Sequence, residues 1–411
     1  MPTKLIPIGG MDNLSPSHRI PFGKARNVVN CDFNLGGQLI IPRPGCSRVY
    51  AGTACHSWYE YEHPYGLGFF VENGVFKRLN RDFSTTALLG AGAAKMYYAS
   101  LGATLYLSNG VFFKQYASGS LFDVGVEVPG YQPKTTVTQT GGLYAGKYKV
   151  AITWLRNGEQ SGAVTPVVVD VPEGGGIQLT EFPVVPPTVD VLFVYVSDPN
   201  GADLLFYGAY PRGTPEVKVD YFTGADPLTT IGAVRARPKK HLAVHNGRLW
   251  WADGTQVFAS EPFQFGLYRA FNCLPFPDEP TNIISVSGVN SQTLFVTTRA
   301  EIYRVDATST EVPVPTVVRN YGCPEGGAAY SKDGKEAYVV SDNGLLMITQ
   351  EGVAELMVDS VATHLYDEAT LAVHSREGYD KVVFTGVPVS AGLLQHSDYS
   401  ADEIARKGNN L

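Results

Sequence analysis

Apolar and polar positions along this chain repeat one pattern: an apolar, aromatic run of about five residues, a turn, and a second such run. The first copy spans Gly66–Leu79 and turns at Asn73-Gly74. The second, Ala103–Gln115, turns at Asn109-Gly110. A third, Arg248–Ala259, turns at Asp253-Gly254, and a degenerate fourth runs Gln292–Arg304. The fifth, Glu336–Thr349, turns at Asn343-Gly344. Asn-Gly and Asp-Gly tolerate the positive φ of a tight hairpin turn, so each copy predicts a β-hairpin. Outside one interruption the copies recur at roughly forty residues, the spacing of propeller blades. The blade-like units fall at about 49–90, 91–130, 237–280, 281–322, 323–359 and 360–390.

The interruption, 131–236, has its own pattern. Tyr148, Val150, Ile152 and Trp154 alternate along Ala145–Leu155 and share one face of a strand. Arg156-Asn157-Gly158-Glu159 reads as a hairpin turn. Further strands are predicted at Val164–Val171, Val189–Val196, Leu204–Tyr210 and Glu216–Tyr221. Short strands with a turn about every ten residues suggest an inserted β-sandwich of the fibronectin III or immunoglobulin-like kind. The fold expected is therefore all-β: a six-bladed β-propeller carrying that insert.

The last unit offers Thr370–His374, a turn at Glu377-Gly378 and Asp380–Thr385, but no outer strand. A propeller avoids open edges. The irregular leader, 1–48, holds one plausible strand, Gln38–Ile41, placed to complete that blade. In the tail, 391–411, Ser400 and Glu403 form a capping box ahead of Gly408 and predict a short helix.

Composition narrows the functional classes. The 411 residues carry a net charge of −7, which gives no whole-chain reason for tight nucleic-acid binding. No apolar run approaches the roughly twenty residues that span a bilayer, so no membrane insertion is expected. Residues 1–10 lack the apolar core of a signal peptide, which points to a soluble protein made in the cytosol. The five cysteines, Cys31, Cys46, Cys55, Cys273 and Cys323, form no Cys-x-x-Cys pair. They read as small buried thiols, with neither a disulfide framework nor a zinc site.

The chain has no phosphate-binding Gly-x-x-x-x-Gly-Lys loop, no Gly-x-Ser-x-Gly elbow and no His-Glu-x-x-His. His241 and His245 stand about 13 Å apart if their segment is a plain strand, too far to share a metal. His56 and His63 flank Trp58, Tyr59 and Tyr61 and read as stacked or surface histidines. Ser331–Lys335 resembles part of a sialidase Asp box, but its Trp is missing, and a plain turn fits. The carboxylate pairs Asp278-Glu279 and Asp367-Glu368 are placed in loops. Trp250 and Trp251 straddle two faces of one strand. No catalytic, cofactor or metal residue is assigned. The candidate contact for DNA or an acidic partner is the basic run of Arg235, Arg237, Lys239 and Lys240, which also reads as a solvated linker out of the insert.

The leader is the specific part of the sequence. Gly10–Pro16 is followed by Pro21-x-Gly23-x-x-Arg26-x-x-x-Asn30-x-Asp32, then by Gly36-Gly37-Gln38-Leu39 and Arg43-Pro44-Gly45. This resembles the opening of tail nozzle (tail tubular) proteins of short-tailed bacteriophages. It departs at Met11-Asp12, before a single Asn13, and at Ile40-Ile41-Pro42. It covers about a tenth of the chain. The resemblance implies a β-propeller virion protein, assembled in the host cytoplasm. It further implies a homo-oligomeric ring, a hexamer, below a tail adaptor and above fibre or tip proteins, with double-stranded DNA passing through it. A tail fibre or receptor-binding protein, a propeller glycosidase acting on surface polysaccharide, and a host interaction module are the alternatives.

Overall fold

A computed structural model describes residues 17–20, 24, 31–33, 40–42 and 48–388, apart from 64–65, 222–225, 289–291, 307–312, 332, 342–343, 356–365 and 377–378. Apart from one short 3-10 turn, Ser17–Arg19, the regular structure described is all β. The five repeated hairpins are present, and each forms the middle of a larger antiparallel sheet. The first sheet runs Cys55–His63, Gly66–Glu72, Val75–Leu79, Thr85–Gly90. The second runs Tyr97–Leu101, Thr104–Ser108, Phe113–Ala117, Ser120–Asp123. The third has Lys240–His245, Arg248–Asp253, Gln256–Glu261 and Gln264–Pro275, with Val234–Arg235 added to its outer edge. The fourth (Asn282–Ser287, Gln292–Thr297, Ile302–Val305, Pro315–Arg319) and the fifth (Ala328–Tyr330, Ala337–Ser341, Gly344–Ile348, Val353–Glu355) repeat the plan. Tyr366–Arg376 and Tyr379–Pro388 pair as a two-stranded ribbon.

The first strand of each hairpin carries the strongest apolar signal because both of its faces are largely covered. Ala337–Ser341 is buried at all five positions. Val339, Leu346 and Ile348 join Ile284, Phe295 and Ile302 of the fourth sheet in one core. Tyr338, Val340 and Leu345, on the opposite face, pack with Ala369 and Leu371 of the ribbon. Side chains alternate across a strand, so one run feeds two cores.

By backbone contacts the chain divides into two compact units. One comprises Met1–Ala94, Gly254–Gln256 and Leu274–Leu411; the other comprises Lys95–Asp253 and Val257–Cys273. The second unit contains the interruption. There, one sheet pairs Lys134–Leu143, Gly175–Thr180 and Val217–Val219. The other is built on Gly146–Arg156, flanked by Val191–Ser197 and Leu204–Pro211 on one side and by Glu159–Gln160 and Val167–Val171 on the other. Tyr148, Val150, Ile152 and Trp154 face Ile177, Leu179, Val217 and Val219 across a common core. Lys134–Leu143 and Gly175–Thr180 are strands beyond those predicted. The sheets before and after this segment also share a core, in which Ala99, Phe113 and Val124 meet Leu242, Leu249, Trp251 and Phe265.

Four expectations change. Asp367-Glu368 lies within the strand Tyr366–Arg376, not in a loop. The basic run is not a free linker, since Arg235 and Lys240 both lie in strands of the third sheet. Cys55 is exposed and Cys273 half-buried, while Cys323 is the buried thiol expected. The segment holding His241 is not a plain strand: its register slips between Lys240 and Ala243, and His241 sits at φ 54°. Of Gln38–Ile41, the last two residues are described, in Ile40–Pro42, which pairs with Cys31–Phe33. The tail helix over 400–408 and most of the leader motif lie outside the described residues.

Candidate functional site

The basic run lies in extended backbone whose inward residues are buried. Ala236 is fully covered, and its N–H donates to the Gly266 carbonyl at 2.8 Å. The Pro238 carbonyl accepts from the buried Ser108 hydroxyl. Alternation then turns Arg235, Arg237 and Lys239 outward. Arg235 Nη1 sits 3.3 Å from Glu127 Oε1, and Lys239 Nζ sits 2.8 Å from Asp253 Oδ1. Lys240 is half-buried and Arg237 exposed. Two of the four cations thus face carboxylates of their own chain. Such pairs contribute roughly 0–1 kcal/mol to stability, but they cancel most of the field that would draw in phosphates.

Beside this run lies a junction that sequence reasoning read as a plain turn. Asn157 and Gly158 do make the turn, at φ 49° and 81°. The residues bracketing it act across the core. Arg156, 8% exposed, donates through Nη2 to the carbonyls of Asp123 (3.1 Å) and Gly125 (2.8 Å). Glu159 accepts the Gly125 N–H at 2.9 Å. Burial pushes the Glu159 carboxyl above its usual range, against the pull of Arg156 and Arg235. Gly125 in turn presses on the Gly266 backbone, where a Cβ would stand 2.4 Å from the Gly266 oxygen. Opposite charges bracketing an Asn-Gly turn were the available signal.

His241 and His245 serve separate packings. His241 meets Tyr97 edge-on at 5.1 Å, and His245 meets Trp250 at 6.3 Å. Burial lowers the His245 pKa to about 4. Trp250 and Trp251 are both buried, Trp251 against the second sheet. Ser331 and Asp333 bond within their own turn, with Ser331 Oγ donating to Asp333 Oδ1 at 2.8 Å and the Lys335 N–H to the same oxygen at 3.2 Å. Among the described residues, no three His, Cys, Asp or Glu side chains converge on a point that could hold a metal.

Two cavities stand out. One, of about 510 Å³, opens on the two-sheet segment between Phe182–Pro187 and Arg212–Pro215. The other, of about 340 Å³, belongs to the first sheet and is walled by Arg48, Tyr50, Cys55, His56, Trp58 and Phe70. Beneath its wall lies Glu72, a buried carboxylate. Its Oε2 accepts from Tyr50 Oη and from Lys77 Nζ, both at 2.6 Å. Its Oε1 accepts the Thr53 N–H at 2.9 Å. These donors hold the Glu72 pKa near 2, Lys77 contributing most. The available signal of this centre was one carboxylate ending an apolar strand.

No family model matches the chain, and no curated protein does. Solved structures align over most of it at low identity. A nidogen/laminin complex aligns with 70% of this chain and 92% of its own, at 11% identity and a TM-score of 0.26. Apo AztD from Citrobacter koseri aligns with 78% and 86%, at 12% identity and a TM-score of 0.28. The Dos1 propeller aligns with 74% and 87%, at 7% identity and a TM-score of 0.19. These likenesses assign neither activity nor partner.

Proposed function

We propose that the chain is a structural component of a bacteriophage tail, resembling the nozzle ring below the adaptor of short-tailed phages. The observation that carries this reading is the leader pattern Pro21-x-Gly23-x-x-Arg26-x-x-x-Asn30-x-Asp32 with Arg43-Pro44-Gly45. The architecture proposed is a six-bladed β-propeller, the five sheets and the closing ribbon being its blades. The two-sheet segment is then its inserted fibronectin III or immunoglobulin-like sandwich. Face-to-face packing of successive small sheets supports this arrangement. So does the shared core of the second and third sheets, which meet although a hundred residues separate them.

The role needs a rigid subunit, broad lateral contacts and no cofactor. The chain would form a hexameric ring, bind the adaptor above and fibre or tip proteins below, and let double-stranded DNA slide through. A basic run in which Arg235 and Lys239 face Glu127 and Asp253 suits passage, because phosphate-neutralising contacts retard moving DNA. Peptide mass spectrometry of purified phage particles tests the reading. The chain should appear among the virion proteins in fixed ratio to the adaptor. Its presence in infected cells but absence from particles would overturn the assignment.

A further inference from the structure

We propose that the cavity of the first sheet is a glycan site, in which a hexopyranose ring stacks on Trp58. The site is independent of the tail assignment.

The platform is built by three local features. First, the strand Cys55–His63 slips register against Gly66–Glu72 between His56 and Tyr59. Ser57 lies at φ 55° and Ala54 at φ 48°, two left-handed non-glycine residues within four positions. Such conformations are costly and gather where a side chain must be re-aimed. Here the slip sets Trp58 outward, 52% exposed beside a covered core. Second, the indole is seated. A Cβ on Gly68 would stand 2.8 Å from Trp58 Cη2 and 2.9 Å from Cζ2, so the ring rests where only glycine leaves room. Phe70 supports it at 6.2 Å, tilted by 39°. Third, the facing wall is fixed. Arg48 donates Nε to the Tyr50 carbonyl at 3.1 Å, while Tyr50 and Thr53 are tied to buried Glu72. Gly52 is enclosed by Cys55, Tyr50 and Glu72 and admits no side chain without displacement.

The chemistry selects the ligand. The lining is an aromatic surface with a few polar groups at its rim, the guanidinium of Arg48 and the imidazole of His56 among them. A pyranose offers the matching partner: a C–H face for the indole and a rim of hydroxyls for those donors. The volume of 340 Å³ suits one or two sugar rings. A nucleobase would stack equally well, but Arg48 is the one Lys or Arg among the described lining residues to hold its phosphates, and the exposed Glu60 follows two residues along the strand. Lys77 is already neutralised by Glu72.

The test uses the full-length chain. It is titrated with methyl glycosides of glucose, galactose, mannose and N-acetylglucosamine and with glucuronic acid, followed by tryptophan fluorescence and saturation-transfer NMR. At least one sugar should bind saturably. Trp58→Ala should weaken it by on the order of ten-fold or more, the loss of one stacked ring. Trp58→Phe should keep most of the binding. Arg48→Ala, on an exposed loop, should weaken it while leaving the circular dichroism and melting temperature unchanged, which guards against a misfolded Trp58→Ala. Absence of saturable binding to any of these sugars overturns the proposal, as does binding that neither substitution alters. Trp58-dependent binding of oligothymidylate without sugar binding overturns it in favour of a nucleic-acid site.

Discussion

At the scale of single residues, Glu72 ties a loop and a neighbouring strand to its own strand of the first sheet. Its carboxylate takes three hydrogen bonds, which draw its pKa from 4.5 to about 2. A group whose pKa is lower in the folded chain stabilises it above the unfolded value and loses that contribution as pH falls. Glu72 therefore stabilises fully above about pH 4.5 and ceases to do so as pH falls through about 2. Glu72→Gln should lower the melting temperature at pH 7 and much less at pH 2.5, as read by scanning calorimetry. An equal loss at both pH values would exclude the carboxylate's charge as the cause. Glu72 was not legible beforehand, because its partners Tyr50, Thr53 and Lys77 come from a loop and a neighbouring strand. Trp58 was masked for a similar reason. Within an aromatic run it reads as packing, and the left-handed Ser57 that turns it outward leaves no mark in composition. His245, by contrast, is buried and packs edge-on against Trp250.

At the scale of elements, the hairpins were legible because two signals coincide in them. The first strand of each hairpin is largely covered on both faces and so mostly apolar, and the turns use residues that accept positive φ, as Asn73 and Gly74 do at 49° and 75°. Flanking strands have one such signal or none. Lys134–Leu143 is threonine-rich, ends in Gly141-Gly142-Leu143 and is mostly exposed, so neither periodicity nor apolarity announces it. The two-sheet segment was legible from the alternation of Tyr148 to Trp154. Its attachment through Arg156 and Glu159 was not. Because the second and third sheets already share a core, joining Pro129 directly to Pro238 removes the edge strand Val234–Arg235 but should leave the second sheet and the four remaining strands of the third folded, with the amide protection of Leu105, Leu107, Leu249 and Trp251 retained in hydrogen exchange. Removing the clamp costs something. Arg156→Ala in the intact chain should cost about 1.5–3 kcal/mol, the range for charged hydrogen bonds, measured by urea denaturation. If the shortened chain is insoluble and the isolated segment, 131–236, binds ANS as a molten chain, the segment belongs to the blades.

At the scale of the whole molecule, the proposed tail reading rests on the signature in the leader, while 48–388 holds the repeated small sheets. Hairpin spacing made the sheet plan readable, since each small sheet repeats one supersecondary unit. The proposed assembly left no comparable mark, because nothing in the hairpin repeat specifies a partner. The central claim is that this chain is the repeating subunit of a ring, and mass photometry of the full-length protein with its adaptor at micromolar concentration tests it most directly. The account predicts a dominant species carrying six copies of the chain. Particles no heavier than single chains, with and without the adaptor, would contradict it.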